Sequence, residues 1–546
     1  MYALLAIIPI LLAVVLMAAL NVKSGLALLS AWALGCVIAF VFWQMDVLHI
    51  SAYSLMGAVS SIDTILIIFG AIFLLNAMIK MRFIETIGNG FSGVTHDRRI
   101  QILIIGWLFG CFVEGAAGFG TPAALAAPLL VGLGVPAFPA AMACLISNST
   151  PVCFGAVGTP PLTALNAVVT GIGENFPGVD SAAFGAQFFS RMALTNIFTG
   201  TFIPVLIIAS VVARSGRGNR LRGIAEILPL CIFSGLAFTV PVYVIATFIG
   251  PEIPSLLGAL VGLILMLAAV KAGFLVPKNV WRFQNDPIVE PLEGARADLP
   301  LLKAWSPYIV IAAVLIVTRL PWLPVKAAID STLIKMDGFL GVGGVSFNWK
   351  PLNNPGLFPF VLVALIYMAA GGMKRSDVGA IFKKTCKQVA NAAIALLAGV
   401  ALVQIMRFTD FSNPSGELGA MTTEVAKSLA GLFGGMYPLV SPVVGIFGAF
   451  VSGSNTVSNI MFAGLQFRTA VLIGLPAVMI VMCQSIGGAV GNMVCVNNVV
   501  AVSATTGAEG KEGKLILSTI IPCIIYSLMI SAAAFIYLAL NISWVA

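Results

Sequence analysis

Phe109-Gly-Cys-Phe-Val-Glu-Gly115 and Phe447-Gly-Ala-Phe-Val-Ser-Gly453 are one phrase written twice, once in each half of the chain. The neighbours repeat in the same order. Met81-Arg82-Phe83 upstream of the first copy answers Met406-Arg407-Phe408 upstream of the second. Downstream, Val-Pro-Ala at 135–137 answers Leu-Pro-Ala at 475–477. Both copies lie in apolar sequence interrupted by Gly, Pro, Ser, Thr and Asn. Broken hydrophobic segments at corresponding places in two halves point to the binding site of a secondary transporter.

Composition agrees with a membrane setting. Of 546 residues, 60% are hydrophobic and 9% charged, whereas a soluble domain carries roughly a quarter charged residues. Apolar runs recur at Tyr2–Leu20, Leu26–Trp43, Ile65–Ile79, Leu256–Val270 and Leu515–Leu540, and each spans a bilayer alone or with its flanks. The runs are continuous rather than alternating, which excludes a β-barrel. The net charge of +8 does not mark a nucleic-acid binder, because the basic residues sit in short loops. Arg214, Arg217, Arg220 and Arg222 form one group; Lys374, Arg375, Lys383, Lys384 and Lys387 form another; Lys80, Arg82, Arg98 and Arg99 form a third. That is the pattern of cytoplasmic loops. The nine cysteines lie almost wholly in apolar segments without metal-type spacing, as reduced packing residues do. The first apolar run lacks a basic leader and reads as a retained helix.

Following these loops predicts an all-α polytopic protein with about 12 spanning helices and two re-entrant hairpins, at 100–134 and 440–467. A broken crossing follows each hairpin, at 137–170 and 471–505. The first repeat takes residues 1–214, an inserted helix pair with its cytoplasmic loop takes 215–304, and the second repeat takes 305–546. Because the second copy enters from the opposite side, the repeats are inverted.

Non-helical backbone survives at membrane depth only where protein or a water-filled cavity satisfies its polar groups. The four breaks are therefore expected to wall one site. In the first hairpin Gly118 and Gly120 let the backbone approach a ligand. Thr121 suits an N-cap and Pro122 the first helical position. A helix starting there turns free N–H groups toward the tip, which suits an anion. Ser454, Asn455 and Thr456 offer the same with hydroxyl and amide donors. Ser147, Asn148, Ser149 and Thr150 at the first broken crossing, and Gln484, Ser485 and Asn492 at the second, complete the expected lining of one cavity near mid-depth. A single Gly or Ser here is better read as a packing device; two clusters at matching positions are not.

Glu114 is the one acidic residue in the middle of a hairpin. A carboxyl at that depth is costly to charge, which makes it a candidate proton carrier. Its other reading is as acceptor for the tip's own N–H groups. Ser452 stands at the matching position. Arg82 and Arg407 end matching helices and read as interfacial anchors, and Asp63 and Asp410 as outer-boundary residues. His49 and His96 fall in loops.

Cys111-Phe-Val-Glu-Gly-Ala-Ala-Gly-Phe-Gly-Thr-Pro-Ala123 followed by Leu129-Leu-Val-Gly-Leu-Gly134 resembles the signature of the bacterial L-lactate permeases. Phe248-Ile-Gly-Pro-Glu-Ile-Pro254 and Phe450-Val-Ser-Gly-Ser-Asn-Thr-Val-Ser-Asn459 are similar to that family too. The resemblance implies proton-coupled symport of 2-hydroxymonocarboxylates such as lactate and glycolate across a bacterial or archaeal plasma (inner) membrane. It also implies a superfamily of carriers with inverted repeats, re-entrant hairpins and elevator motion. Its partners are a small organic anion, the proton and membrane lipid, without cofactor, metal or nucleic acid; a homodimer is left open. The chain departs from the family pattern at Asn455, where Asp is usual, at Gly491-Asn-Met-Val-Cys-Val-Asn-Asn498, which lacks the usual lysine, and at Arg407.

A sodium-coupled di- or tricarboxylate carrier is the competing transporter, since Ser-Asn-Thr tips recur in that wider group. An intramembrane enzyme would need a nucleophile with its base, or a metal set, at depth. The sequence supplies neither.

Overall fold

The computed structural model describes residues 2–546 apart from 19, 21, 91–93, 119–120, 216–219, 284–298, 320–323, 355 and 413–417. Twelve helices among the described residues are long and apolar enough to cross a membrane, and four shorter apolar helices accompany them. The protein is a polytopic helical membrane protein. Two elements lie outside the sequence plan. One is a short antiparallel hairpin, β1 (Ile334–Asp337) with β2 (Ser346–Trp349), in register Ile334 to Trp349. The other is the helix Met421–Phe433, which packs against Tyr2–Ala18 and Asn455–Ile473.

The helices that carry the Met-Arg-Phe echo, Val47–Lys80 and Arg375–Arg407, lie side by side. They run antiparallel, as two inverted copies would. At one end the Asn76 amide donates to Thr385 (3.1 Å) and to Gln388 (2.6 Å). At the other, Gly57 meets the backbone of Ala401, and a methyl at Gly57 would stand 2.7 Å from the Ala401 Cα. Small residues at such crossings let the backbones of membrane helices close up.

Each motif copy folds as a helical hairpin. The first rises through Arg98–Ala116, whose middle, Ile102–Phe109, is wound as a π-helix, and returns as Thr121–Gly132. Its feet are tied together, because the Arg98 guanidinium donates to the Leu133 carbonyl. The second pairs Tyr437–Ser452 with Asn455–Ile473. Ser458 Oγ donates to the Gly445 carbonyl (2.8 Å) and Gln466 to the Ser441 carbonyl (3.1 Å), stitching its arms. The broken crossings are Ala137–Ser147 followed by Gly155–Asn175, and Ala477–Gly491 followed by Val496–Thr506.

The packing is exchanged between halves. The return arm of the first hairpin lies on Val496–Thr506, and the return arm of the second lies on Gly155–Asn175. The most apolar stretches of Arg98–Ala116 and Ala477–Thr506 are wholly covered by protein. That cover is what lets their irregular backbone exist in a bilayer.

Apolar residues form two large clusters. One holds the first hairpin, both broken crossings, the helices from 184 to 266 and also the second half of Val47–Lys80 with apolar residues between 304 and 381; the other holds Tyr2–Ala18, Ser24–Phe42, the first turns of Val47–Lys80 and the end of Arg375–Arg407. The second hairpin contributes to both. A small seam of Ile68, Ile72, Val389, Leu396 and Ile460 stands between them.

Candidate functional site

Glu114 sits on the last turn before the first tip and is 3% exposed. Its helix comes close to the helix Pro254–Lys271, because Gly115 leaves room for the backbone of Ser255 and Leu256. The carboxyl is turned to Gly155 at the break of the first crossing, and its Oε2 has no hydrogen-bond partner. The break itself is a run of three left-handed residues, Ala156, Val157 and Gly158, with φ of 44°, 56° and 72°. A β-branched valine in that region is strained and needs its surroundings to hold it. The Pro251 carbonyl crowds Gly158 from the inserted helix pair, and Ser255 Oγ donates to the Pro151 carbonyl at 2.7 Å. Gly118, at φ 62°, rests on Ala156. Gly120 lies outside the described residues; Thr121 begins the return helix.

The second tip rests on the second break in the same manner. Gly453 has φ 79°, and a Cβ there would meet Asn497 Nδ2 at 2.8 Å and Cys495 Sγ at 3.4 Å. Ser454 caps the return helix by accepting from the Val457 N–H at 3.4 Å. The Asn455 carboxamide lies over Gly488, and neither of its polar atoms has a partner. Thr456 shares a 200 Å³ cavity with Ser452, Gly453, Ser454, Asn497 and Asn498.

The expected lining residues separate into two groups. Gln484 is fully engaged: it accepts from Gln466 (2.9 Å) and donates to Ser458 Oγ (3.1 Å), joining the return arm of the second hairpin to the broken helix. Ser485 accepts from Asn459 (3.1 Å), whose amide also donates to the Pro160 carbonyl (3.0 Å), so one side chain bridges the two halves. Ser147 and Ser149 bond back to the carbonyls of Cys144 and Ile146. Thr150 is turned to Tyr526 (3.1 Å). The Asn148 carboxamide, by contrast, has no partner on either atom, and Asn492 has none on Oδ1.

Buried polar groups are as a rule hydrogen-bonded, and each exception asks for a reason. Six of the fourteen buried, unpartnered side-chain atoms among the described residues belong to Glu114, Asn148, Asn455 and Asn492. All four stand at a tip or a break. Carboxamides in that state offer both donors and acceptors to a small polar solute. The residues named at the tips and breaks include no Lys, Arg or His, so an anion held there would rely on amides, hydroxyls and helix starts. No group of three His, Cys, Asp or Glu among the described residues could hold a metal.

Asn459, Ser458 and Gln466 were missing from the sequence-derived lining. The signal for Asn459 was present: it follows Asn455 by four residues, one turn along the same helix face.

Comparison with known proteins covers nearly the whole chain. A family model described as L-lactate permease matches residues 2–541. A putative L-lactate permease of Haemophilus influenzae is 32% identical over 97% of this chain and 97% of its own. An L-lactate permease of Bacillus subtilis is 30% identical over 95% and 92%. A glycolate permease of Escherichia coli, GlcA, is 28% identical over 97% and 94%.

Proposed function

The chain belongs to the L-lactate permease family, and on that premise we propose that it carries small 2-hydroxymonocarboxylates, L-lactate and glycolate foremost, in symport with protons across a bacterial plasma membrane. Family membership makes it a transporter rather than an enzyme. The names of its relatives, lactate permeases and a glycolate permease, supply the substrate class.

One observation carries the coupling. A buried carboxyl, Glu114, lies at the tip-and-break junction with an oxygen that no protein group satisfies. A carboxyl so placed can exchange a proton only when a route to water or a polar partner opens beside it. In this reading the proton enters on Glu114 and the substrate carboxylate is held by the amides of Asn148, Asn455 and Asn492. The 2-hydroxyl takes a further amide acceptor.

The two apolar clusters suggest how access alternates. The body carrying the hairpins would slide along the seam of Ile68, Ile72, Val389, Leu396 and Ile460, an elevator-type motion. Apolar side chains without hydrogen bonds across the seam favour sliding, since no directional contact need break.

Proteoliposomes given an inward proton gradient should accumulate labelled L-lactate and glycolate. Uptake that follows sodium and ignores the proton gradient would overturn the coupling. Preference for succinate over lactate would overturn the substrate class.

A further inference from the structure

We propose that the protein holds a second anion site, an outer carboxylate-binding station centred on Arg407 and separate from the hairpin tips. A 590 Å³ cavity lies between Val47–Lys80, Gly155–Asn175 and Arg375–Arg407, with the β1–β2 hairpin across it. Its lining comes from the ends of these helices that loop charge assigns to the outside, including Thr170 and Phe408. Arg407 lines this cavity while being only 4% exposed.

Its guanidinium makes no hydrogen bond or ion pair with any described residue and stands over the ring of Phe408, 5.5 Å from the ring centre. The charged groups close enough to act on it are Arg468 and Glu174, which pair with each other at 3.6 Å. Asp63 and Lys350 also line the cavity; the Asp63 carboxyl is occupied by Trp349 (3.0 Å) and Asn354 (2.8 Å). Gln404, one turn before Arg407 and on the same cavity, has a buried Oε1 without a partner. A buried unpaired cation is costly. The matching Arg82 shows the ordinary arrangement: it is exposed and paired with Glu85 at 2.9 Å.

A guanidinium presents a planar fork that fits a carboxylate with two parallel hydrogen bonds. Gln404 and the hydroxyls of Ser60, Ser61 and Thr163 add polar groups for the rest of a small solute. The station does not merge with the tip site. Leu396 lines both the outer cavity and the 200 Å³ cavity at the second tip, so one apolar side chain stands at the boundary. The ligand's identity rests on the monocarboxylate reading above; the existence of an anion site does not.

Two experiments separate those failures. In transport, Arg407→Gln should raise the external KM for L-lactate roughly tenfold or more, the loss of one charge-assisted hydrogen bond. Vmax should stay within about twofold, and Arg407→Lys should recover part of the affinity. An unchanged KM in a well-folded Arg407→Gln variant overturns the station and leaves the transport reading standing. The second experiment needs no transport. In a Cys36→Ser, Cys386→Ser background, Thr64→Cys places a thiol on the cavity wall. A sulfonate-bearing methanethiosulfonate should react with it about tenfold faster than the trimethylammonium analogue, as charge focusing in a cleft predicts. Adding Arg407→Gln should remove most of that preference, any remainder belonging to Lys350 on the same wall, and L-lactate should slow labelling only when Arg407 is present. Equal rates for the two reagents with Arg407 intact overturn the anion site. A preference that Arg407 controls but L-lactate does not affect keeps the site and removes the monocarboxylate as its ligand.

Discussion

Glu114 and Gly155 press on one another: a methyl group at Gly155 would collide with Glu114 Oε1 and stand 3.1 Å from its carboxyl carbon. The contact joins the first hairpin to the first broken crossing and makes Gly155 a sensitive probe. Its backbone, φ −70° and ψ 167°, is one any residue adopts, so the effect of Gly155→Ala comes from the collision alone. Overpacking of this kind costs about 1–3 kcal/mol. Thermal unfolding in detergent should show that loss, and Glu114→Ala in the same chain should recover most of it. Two additive losses would mean that the side chains do not compete for this space.

Glu114→Gln keeps the size of the side chain and removes the exchangeable proton. The variant should reach the membrane in normal amount and retain lactate–lactate exchange while losing gradient-driven accumulation. Undiminished proton-driven uptake in a well-folded variant would take Glu114 out of the mechanism.

Asn455 and Gln484 sit close in the fold and should respond in opposite ways. The Asn455 carboxamide bonds to nothing in the protein, so Asn455→Ala should leave the unfolding temperature within a few degrees of the parent. Its KM for substrate should rise by roughly tenfold, the worth of an amide hydrogen bond to a charged ligand. Gln484→Leu removes one hydrogen-bond partner each from Gln466 and Ser458, which keep only their bonds to the Ser441 and Gly445 carbonyls, and each net hydrogen bond lost costs about 0.5–1.5 kcal/mol. That variant should unfold earlier whether or not substrate is present.

The feet of the first hairpin are fixed by a buried ion pair. Arg99, 0% exposed, binds Asp97 at 2.6 Å and donates to the Gly223 carbonyl (2.6 Å) and the Asn279 carbonyl (3.0 Å); Asp97 also accepts from the Trp281 N–H (3.1 Å). Removing one partner of such a pair costs about 3–5 kcal/mol. Asp97→Ala should therefore lower the unfolding temperature sharply, and loosened hairpin feet should show as faster proteolysis in the loop after residue 276. An unfolding temperature equal to the parent's would assign the anchoring to the backbone alone.

Much of the architecture was legible because it rests on local signals. The hairpins and breaks are announced by Gly, Pro and small polar residues inside apolar runs, and Gly118, Gly155, Gly158 and Gly453 all serve at close approaches or left-handed turns. What depended on distant partners was not legible. Arg407 carries the same local context as Arg82, and only the neighbouring helices decide that one is buried and the other exposed. The helix Met421–Phe433 is 13 residues long and interrupted by Thr422, Thr423, Glu424, Lys427 and Ser428, so an apolar-run reading passes over it. The strands β1 and β2 are four residues each in a loop. Pro251 lies in the motif Phe248–Pro254, but nothing in that motif says that its carbonyl braces the break at Gly158.

The exchanged packing of the hairpin arms has a consequence for biosynthesis. The return arm ending at Gly132 meets its cover only when the helix beginning at Val496 has left the ribosome. At about 5–20 residues per second that interval is roughly 20 to 70 seconds. Throughout it, the return arm of the first hairpin lacks the neighbour that covers it in the finished fold. A nascent chain stalled before residue 455 lacks both the return arm of the second hairpin and the helix that covers the return arm of the first.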